Sequence, residues 1–306
     1  MTSDPIHVFA HQAMNTTFEV RIAAADGGYA AQAARECFAE IAGVEGRLSR
    51  FDETSDITAI NQLAPGERLA VDQDTVECLR LALGLFEVTG GAFDPTVGQA
   101  VDRLRGGGAG SSEEHARRGR LLVAADVPVV QVVDGPVRVD LGAIGKGFAL
   151  DRCVQILEDW ELTRALLVCG GGSTALALDG PRPGSGWTIG LDRREVSLER
   201  RAISASGFAV QGLHIVDPRT GGAGGRWART WALCPSGAAS DAYSTAWMNL
   251  DLAAIQAVCA QVPELTAVVL AMEGEELHVE GASLGELALR RPKEPPMSSI
   301  HLPCSC

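Results

Sequence analysis

The chain has 306 residues, 46% of them hydrophobic and 21% charged, and a formal net charge of −13. That length is enough for one large domain or two small ones with a real hydrophobic core. The acidic balance, without a strong run of Lys and Arg, argues against a nucleic-acid partner, because affinity for phosphate backbones comes mainly from clustered basic residues. A phosphorylated ligand would need backbone N–H groups, a few placed cations or a metal ion.

The first half of the sequence alternates strand-like and helical patterns. Residues 16–24 alternate polar and apolar side chains, which predicts a half-buried strand. Residues 29–49 and 72–91 have helical apolar spacing, and Gly90 and Gly91 stop the second helix. The glycine-rich and polar stretch 105–119 predicts an exposed loop.

The second half predicts further strands and helices in mixed order. A hairpin is expected over residues 127–144, with its turn at 134–136, followed by a helix over 146–162 and a strand over 164–178 that glycines interrupt. The remaining expected elements are strands at 187–192, 229–235, 265–272 and 276–281, a helix from Asp241 and a helix at 251–261. Interleaved helices with hairpins indicate an α+β fold with mixed sheets and packed helices rather than a doubly wound sheet. We predict one domain over residues 1–287 and a disordered C-terminal tail over 288–306.

Targeting signals and cysteine pairs are not evident in the sequence. The N-terminus has no basic stretch followed by an apolar run, and no segment reaches the roughly 18 uninterrupted apolar residues of a membrane span. We therefore expect a cytoplasmic protein with no membrane span, although a chain whose export or lipoprotein leader had been removed would look the same. The cysteines form no CxxC pair. Those expected to be small buried residues are Cys37, Cys78, Cys153, Cys169 and Cys259.

Two glycine-containing stretches could admit a ligand. In "TGGAFDPTVG" (89–98), glycines allow close backbone approach and the Asp-Pro-Thr turn offers oxygens, although a helix end followed by a turn explains the same letters. In "VCGGGSTALAL", the glycines at a strand end could equally form a bulge. No GxGxxG motif with its acidic partner and no GxxxxGK[ST] motif are present, so neither a Rossmann site nor a P-loop is supported.

"VDLGAIGKGFALD" (139–151) places a lone lysine, Lys146, among glycines after an apolar run. Further along, "HIVDPRTGG" places His214 before an Asp-Pro turn, and "SDAYSTAWMNL" places Asp241 and Thr245 four residues apart. On a helix, both oxygens of that pair project from one face and suit a hard ion such as Mg²⁺. The alternative is that Asp241 simply caps the helix.

Taken in order, these stretches resemble the FAD:protein FMN transferase family, the ApbE-type flavin transferases. The resemblance covers residues 10 to 285 approximately, and its other matching stretches are "MNTTFEV", "LSRFDETSDITAIN", "SASG" and "SDAYSTA". It implies an ApbE-like, T-fold-related architecture with a ligand cleft between two subdomains. It also implies Mg²⁺-dependent transfer of FMN from FAD, the substrate, to a Thr or Ser hydroxyl of an acceptor flavoprotein, with AMP released.

The resemblance also assigns residues. The implied flavin- and FAD-binding positions are Met14, Phe51, Ala92, Phe93, Asp94, Asp140, Lys146 and Ile215. The implied metal-binding positions are Ala143, through its carbonyl, Asp241, Ser244 and Thr245. Lys146 would then supply a local cation to a phosphorylated ligand in an acidic protein.

The chemistry leaves some choices open. The acceptor hydroxyl must lose a proton, and His214 or Asp217 is the expected catalytic base, with His214 favoured. Two residues depart from the family pattern: Asn15 stands where Gly is usual after the first Met, and Phe51 stands where Tyr is common. The alternatives are an FAD pyrophosphatase that yields FMN and AMP, and a flavin-binding or carrier protein without turnover.

Overall fold

The computed structural model describes residues 4–106, 119–191, 194–207, 215–272, 277–281 and 300–301. The described helices are α1 (Gly27–Leu48), α2 (Asp56–Ile60), α3 (Gln73–Val88), α4 (Gly98–Arg105), α5 (Gly145–Asp159), α6 (Gly237–Trp247) and α7 (Leu252–Gln261). The strands of the first half are β1 (Ile6–Ala13), β2 (Thr16–Ala23), β3 (Arg68–Ala70), β4 (Arg120–Val123) and β5 (Val129–Asp134). Those of the second half are β6 (Ala165–Cys169), β7 (Thr174–Ala177), β8 (Trp187–Leu191), β9 (Arg194–Leu198), β10 (Arg201–Gly207), β11 (Arg229–Cys234), β12 (Thr266–Leu270), β13 (Leu277–Gly281) and β14 (Ile300–His301).

The largest sheet has eight strands in the order β1-β2-β6-β7-β10-β11-β12-β13, and all its pairs are antiparallel. Helices α1, α5 and α6 pack against one face, where the main hydrophobic core lies. The β8–β9 hairpin covers the opposite face with a second apolar cluster. Because its central strands are covered on both faces, β6 reads as a continuous apolar run instead of an alternating one.

The predicted α+β class is confirmed, and so are most of the expected elements. The apolar positions of α1 show why: Ala33, Cys37, Ile41, Val44 and Leu48 are all buried, as one face of an amphipathic helix should be. The cysteines expected in the core are all buried, as predicted.

Three expectations about local structure were wrong. The arm after Asp134 does not pair back onto β5, whose neighbours in its own sheet are β3 and β4. That arm makes an isolated parallel bridge between Val97 and Arg138 instead. The backbone of Val139 is not available to β5, because the Asn61 side chain hydrogen-bonds both its N–H and its carbonyl group. The strand expected over 164–178 is interrupted at its glycines as predicted, but its two parts, β6 and β7, fold back and pair antiparallel as separate strands. Helix α6 begins four residues before Asp241, since Ser236 is its N-cap.

The C-terminal tail and the long loop are only partly described. Residues 107–118, 288–299 and 302–306 lie outside the described residues. Within the expected tail, Ile300 and His301 form β14 and pair in parallel with β8, a contact that the sequence did not suggest. The division into a domain of residues 1–287 and a tail stays a prediction.

Candidate active site

Helices α5 and α6 cross in close contact at two glycines. A Cβ atom on Gly147 would lie 2.1 Å from the carbonyl oxygen of Gly237, so only glycine permits this approach. Asp151, one turn further along α5, caps α6: its carboxylate accepts hydrogen bonds from Gly237 N at 2.6 Å, Ala238 N at 2.9 Å and Ser236 Oγ at 2.7 Å. The crossing therefore fixes α6, which carries Asp241, relative to α5, which carries Lys146.

Lys146 lies on the first turn of α5 and faces α6. Its Nζ donates a hydrogen bond to the carbonyl oxygen of Gly142 at 2.8 Å and lies 3.6 Å from Asp241 Oδ2. The charge of Asp241 raises the pKa of Lys146 above its ordinary value, against burial, which lowers it. Lys146 is therefore a cation at physiological pH, and a carboxylate already lies beside it.

Asp241 is surrounded by hydroxyl groups. It is 5% exposed, and its Oδ2 has no hydrogen-bond partner among the described residues. Ser244 Oγ donates to the Asp241 carbonyl at 2.9 Å and Thr245 Oγ1 does so at 3.3 Å. Ser206 Oγ, at the end of β10, lies 3.0 Å from Ser244 Oγ and 3.3 Å from Thr245 Oγ1. Asp241 is thus inside the helix, and the alternative that it caps the helix is wrong.

These oxygens are of the hard donor type that could hold a metal ion such as Mg²⁺. Within the described ranges, no group of three or more His, Cys, Asp and Glu side chains is arranged to hold a metal. The expected set contains one carboxylate, Asp241, together with hydroxyl groups and the carbonyl of Ala143 in the turn before α5. Hard oxygen donors suit Mg²⁺, which keeps several waters and binds through one or two carboxylates and substrate phosphates. Asp241 Oδ2, which accepts no hydrogen bond from the described residues, is the atom that fits such an ion.

Asp140 stands at the start of the turn that leads to Lys146. Its Oδ1 accepts a hydrogen bond from Gly142 N at 2.8 Å, and its Oδ2 lies 3.0 Å from Arg50 Nε. Asn61 fixes the preceding residue, since its amide donates to Val139 O at 3.0 Å and accepts from Val139 N at 2.5 Å. The carboxylate of Asp140 is therefore held on both oxygens by the protein itself.

The β1–β2 turn places Met14 next to α1. Met14 and Asn15 have φ values of 49° and 56°, the two left-handed positions of a type I′ hairpin. Glu45 Oε1 accepts a hydrogen bond from Met14 N at 2.6 Å. Asn is the residue that best tolerates this conformation after Gly, which explains how Asn15 can stand where the resemblance implies a glycine.

The expected flavin-binding residues differ in what they can offer. Ala92 and Phe93 are buried in the main core, and their backbone N–H groups donate hydrogen bonds to Thr89. Asp94 Oδ1 accepts hydrogen bonds from both the N–H and the hydroxyl of Thr96, at 2.7 Å each. Phe51, in contrast, is 70% exposed, so part of its ring surface is available to stack on a planar ligand.

The Ile215–Asp217 segment leads into a turn at residues 218–220 and lies beside the 92–94 segment. Asn249 joins the two, since its amide donates to Val216 O at 3.0 Å and to Ala92 O at 3.3 Å. Ile215 is buried, and its carbonyl accepts a hydrogen bond from Gly224 N at 2.8 Å. His214 lies outside the described residues.

Asp217 makes a two-pronged ion pair with Arg219, at 2.9 Å to Nε and 2.8 Å to Nη2. Burial by itself raises the pKa of Asp217, but the hydrogen bonds from Arg219 outweigh it and hold the pKa below its ordinary value. A carboxylate so engaged is a weak proton acceptor.

Several residues of the site were missed by the sequence reasoning. All but Glu45 lie inside the matched stretches, but the motifs gave none of them a role. They are Glu45, Arg50, Asn61, Asp151 and Ser206. Their role depends on partners distant in sequence, such as Val139 for Asn61, so no local pattern pointed to it.

Fold and site together define an α+β protein with a lysine–carboxylate–hydroxyl centre at the crossing of two helices. Solved structures share this fold: the apo flavinyl transferase ApbE of Pseudomonas stutzeri aligns with a TM-score of 0.82 and 21% identity, over 94% of this chain and 99% of that one. An ApbE protein of Thermotoga maritima aligns with a TM-score of 0.78 and 24% identity, over 94% and 100%. The ApbE family model matches residues 14–269, and the chain belongs to that family.

Two relatives named FAD:protein FMN transferase align with this chain over about two thirds of its length. The FAD:protein FMN transferase of Treponema pallidum is 30% identical over 230 residues, which are 62% of this chain and 63% of that protein. The FAD:protein FMN transferase of Klebsiella pneumoniae is 25% identical over 240 residues, 68% of each chain. The alignment thus spans slightly less than two thirds of the Treponema protein. No described helix has the length and apolar character needed to cross a membrane.

Proposed function

We propose that this protein transfers FMN from FAD to a Thr or Ser hydroxyl of an acceptor flavoprotein and releases AMP. The observation that carries the proposal is the Asp241 centre: a buried carboxylate oxygen without a hydrogen-bond partner among the described residues, 3.6 Å from Lys146 Nζ. A protein that only carried flavin would need no such centre beside the phosphates. The names of the relatives support the same reaction.

The bond changes are simple. The acceptor oxygen forms a bond to the FMN phosphorus, the bond from that phosphorus to the bridging oxygen breaks, and AMP leaves with the bridging oxygen. The proton of the acceptor hydroxyl passes to a base, for which we propose His214. The pairing of Asp217 with Arg219 gives that carboxylate a turn-holding role in our proposal.

The chain's own residues bind and orient the pyrophosphate. Lys146 offers its ammonium group to the phosphate oxygens as a local cation in a protein of acidic net charge. The glycines of its turn let the backbone approach the pyrophosphate closely. We propose that Asp241, Ser244, Thr245 and the Ala143 carbonyl hold Mg²⁺, with Ser206 orienting the two hydroxyl groups. When bound, that ion neutralises negative charge on the pyrophosphate oxygens.

The flavin is proposed to lie in a cleft between two parts of the domain, the helix-covered large sheet and the smaller unit that contains β3, β4 and β5. Phe51 offers an aromatic face to the isoalloxazine, and the backbone of Ala92 and Phe93 lines the site. Met14, in the β1–β2 turn, and Ile215 lie at the edges of the flavin site, and Asp94 and Asp140 supply carboxylates next to the flavin.

Water competes with the acceptor, because it is present at about 55 M, whereas well-oriented groups reach effective molarities of roughly 10⁵ M. A test is to incubate the protein with FAD, Mg²⁺ and a Thr-containing acceptor, with EDTA in a parallel reaction. We expect the acceptor to gain the mass of an FMN phosphoester, with AMP released in equal amount, and EDTA to stop both. Free FMN with an unmodified acceptor would identify a pyrophosphatase, and intact FAD would identify a binding protein.

A further inference from the structure

The feature that the proposed reaction does not explain is Arg50, a buried arginine between the end of α1 and the Phe51 turn. Its side chain is only 4% exposed. Two carboxylates accompany it: Asp102 Oδ1 lies 2.8 Å from Nη2, and Asp140 Oδ2 lies 3.0 Å from Nε. A buried guanidinium is tolerated only when such partners offset the loss of its hydration. Burial lowers the pKa of Arg50, but the two carboxylates outweigh this and raise it overall, so the charge is permanent.

The same guanidinium supports the ring of Phe51. The Cζ atom of Arg50 lies over that ring, 4.6 Å from its centroid. Phe51 is nevertheless 70% exposed, so the rest of the ring surface faces solvent. A cation over one face of an aromatic ring attracts it and restricts its rotation. The geometry is that of a ring held by Arg50 on one face and available to a planar ligand on the other.

Arg50 also reaches the part of the site that holds Lys146. Its partner Asp140 is joined to Gly142 through the backbone N–H, and Gly142 accepts the hydrogen bond of Lys146 Nζ. One side chain therefore touches both the aromatic expected to stack on the flavin and the carboxylate at the start of the Lys146 turn.

We propose that Arg50 is a positioning residue for FAD: it holds Phe51 as a rigid stacking surface and sets Asp140 at a fixed distance from it. This inference rests on the proposed function only in taking FAD as the ligand. A lysine could not take this role, because only a planar guanidinium can pair with two carboxylates and lie flat over a ring at once.

The test compares FAD affinity in four proteins: wild type, R50K, R50M and R47M. Arg47 is the matched control, because it also lies near the end of α1 and pairs with carboxylates, Glu40 and Asp74, but these belong to α1 and α3. Affinity is measured by the fluorescence anisotropy of FAD, and stability by thermal unfolding. We expect R50M to weaken FAD binding by about tenfold and R50K by less, with R47M changing stability alone.

A double-mutant cycle separates positioning from a purely structural role. If Arg50 acts through Phe51, R50M should cost clearly less affinity in an F51A background than in wild type. Additive effects, or wild-type affinity in folded R50M and R50K, would overturn the proposal. If R50M does not fold, the cycle is run with R50K and the same criteria apply. A wild type that binds FAD without transferring FMN contradicts the proposed function and leaves this inference open to the same measurements.

Discussion

Asn15 shows how one residue can depart from a family pattern without changing the turn. Its φ of 56° is left-handed, where an alanine side chain clashes with its own backbone and an asparagine is tolerated. We expect Asn15→Ala to lower the free energy of unfolding by about 1 kcal/mol and Asn15→Gly to leave it nearly unchanged. Urea denaturation of the three proteins measures this. Equal stability of the alanine variant would mean that the turn readily adopts another form.

Lys146 lies beside Asp241, and its ammonium group also donates a hydrogen bond to the carbonyl oxygen of Gly142. We expect Lys146→Met to weaken FAD binding by about tenfold at low salt, since a charge-assisted contact to phosphate is lost. The only other lysine of the sequence, Lys293, provides the control, and Lys293→Met should leave FAD affinity unchanged. Isothermal titration decides, and equal affinity in all three proteins would remove Lys146 from the site.

Asp241 is the residue on which the proposed metal site depends. Asp241→Ala removes the only carboxylate of that set, so we expect turnover of FAD with Mg²⁺ to fall by about a hundredfold or more. Asp251, which caps α7 through Ala254 N, is a control carboxylate outside the site. Asp251→Ala should lower the melting temperature and keep turnover. Normal AMP release by a folded Asp241→Ala protein would show that the metal site is elsewhere.

At the scale of elements, the crossing of α5 and α6 is what brings Lys146 and Asp241 together. Gly147→Ala would place a Cβ atom 2.1 Å from Gly237 O, and the helices must separate to admit it. We expect a loss of about 1–3 kcal/mol in stability, together with weaker FAD binding, as Lys146 moves from Asp241.

A matched glycine in another helix isolates the effect of packing. Gly46 lies in α1, and nothing lies within 4 Å of the position of its Cβ. Gly46→Ala should therefore stabilise the protein by about 0.5–1 kcal/mol, the ordinary preference of a helix for alanine. Thermal unfolding of both variants provides the measurement. A stabilising Gly147→Ala would contradict the close crossing.

At the scale of the whole molecule, the large sheet separates two faces with different roles. The candidate site lies on the helix-covered face, whereas β8, β9 and β14 belong to the opposite face. Removal of residues 288–306 deletes β14, a two-residue strand that pairs with β8. We expect the chain truncated after residue 287 to fold and to keep its FAD affinity within about twofold, because a two-residue strand adds few hydrogen bonds to β8. Circular dichroism and FAD titration test this, and an unfolded product would show that the domain extends into the tail.

The sequence by itself determined the class of fold, the helices α1, α3, α5 and α7, and the family. It also placed Asp241 and Thr245 on one helix, because their spacing of four residues matches the helical period. These properties depend on patterns within ten to twenty neighbouring residues, which a single sequence displays. The hairpin expected after Asp134 was wrong because of a contact distant in sequence. The strand pattern was present, but the side chain of Asn61 hydrogen-bonds the backbone of Val139.

Only the tertiary structure decided which side chains meet. Lys146 and Asp241 are 95 positions apart, and their contact exists because two glycines let α5 and α6 cross and Asp151 caps the second helix. In the sequence, Arg50 is a charged residue at the end of a predicted helix, and no neighbouring residue indicates that Asp140 is its partner. Contacts of this kind arise when hydrophobic burial packs distant elements together, and the polar pairs then follow from the geometry that burial imposes.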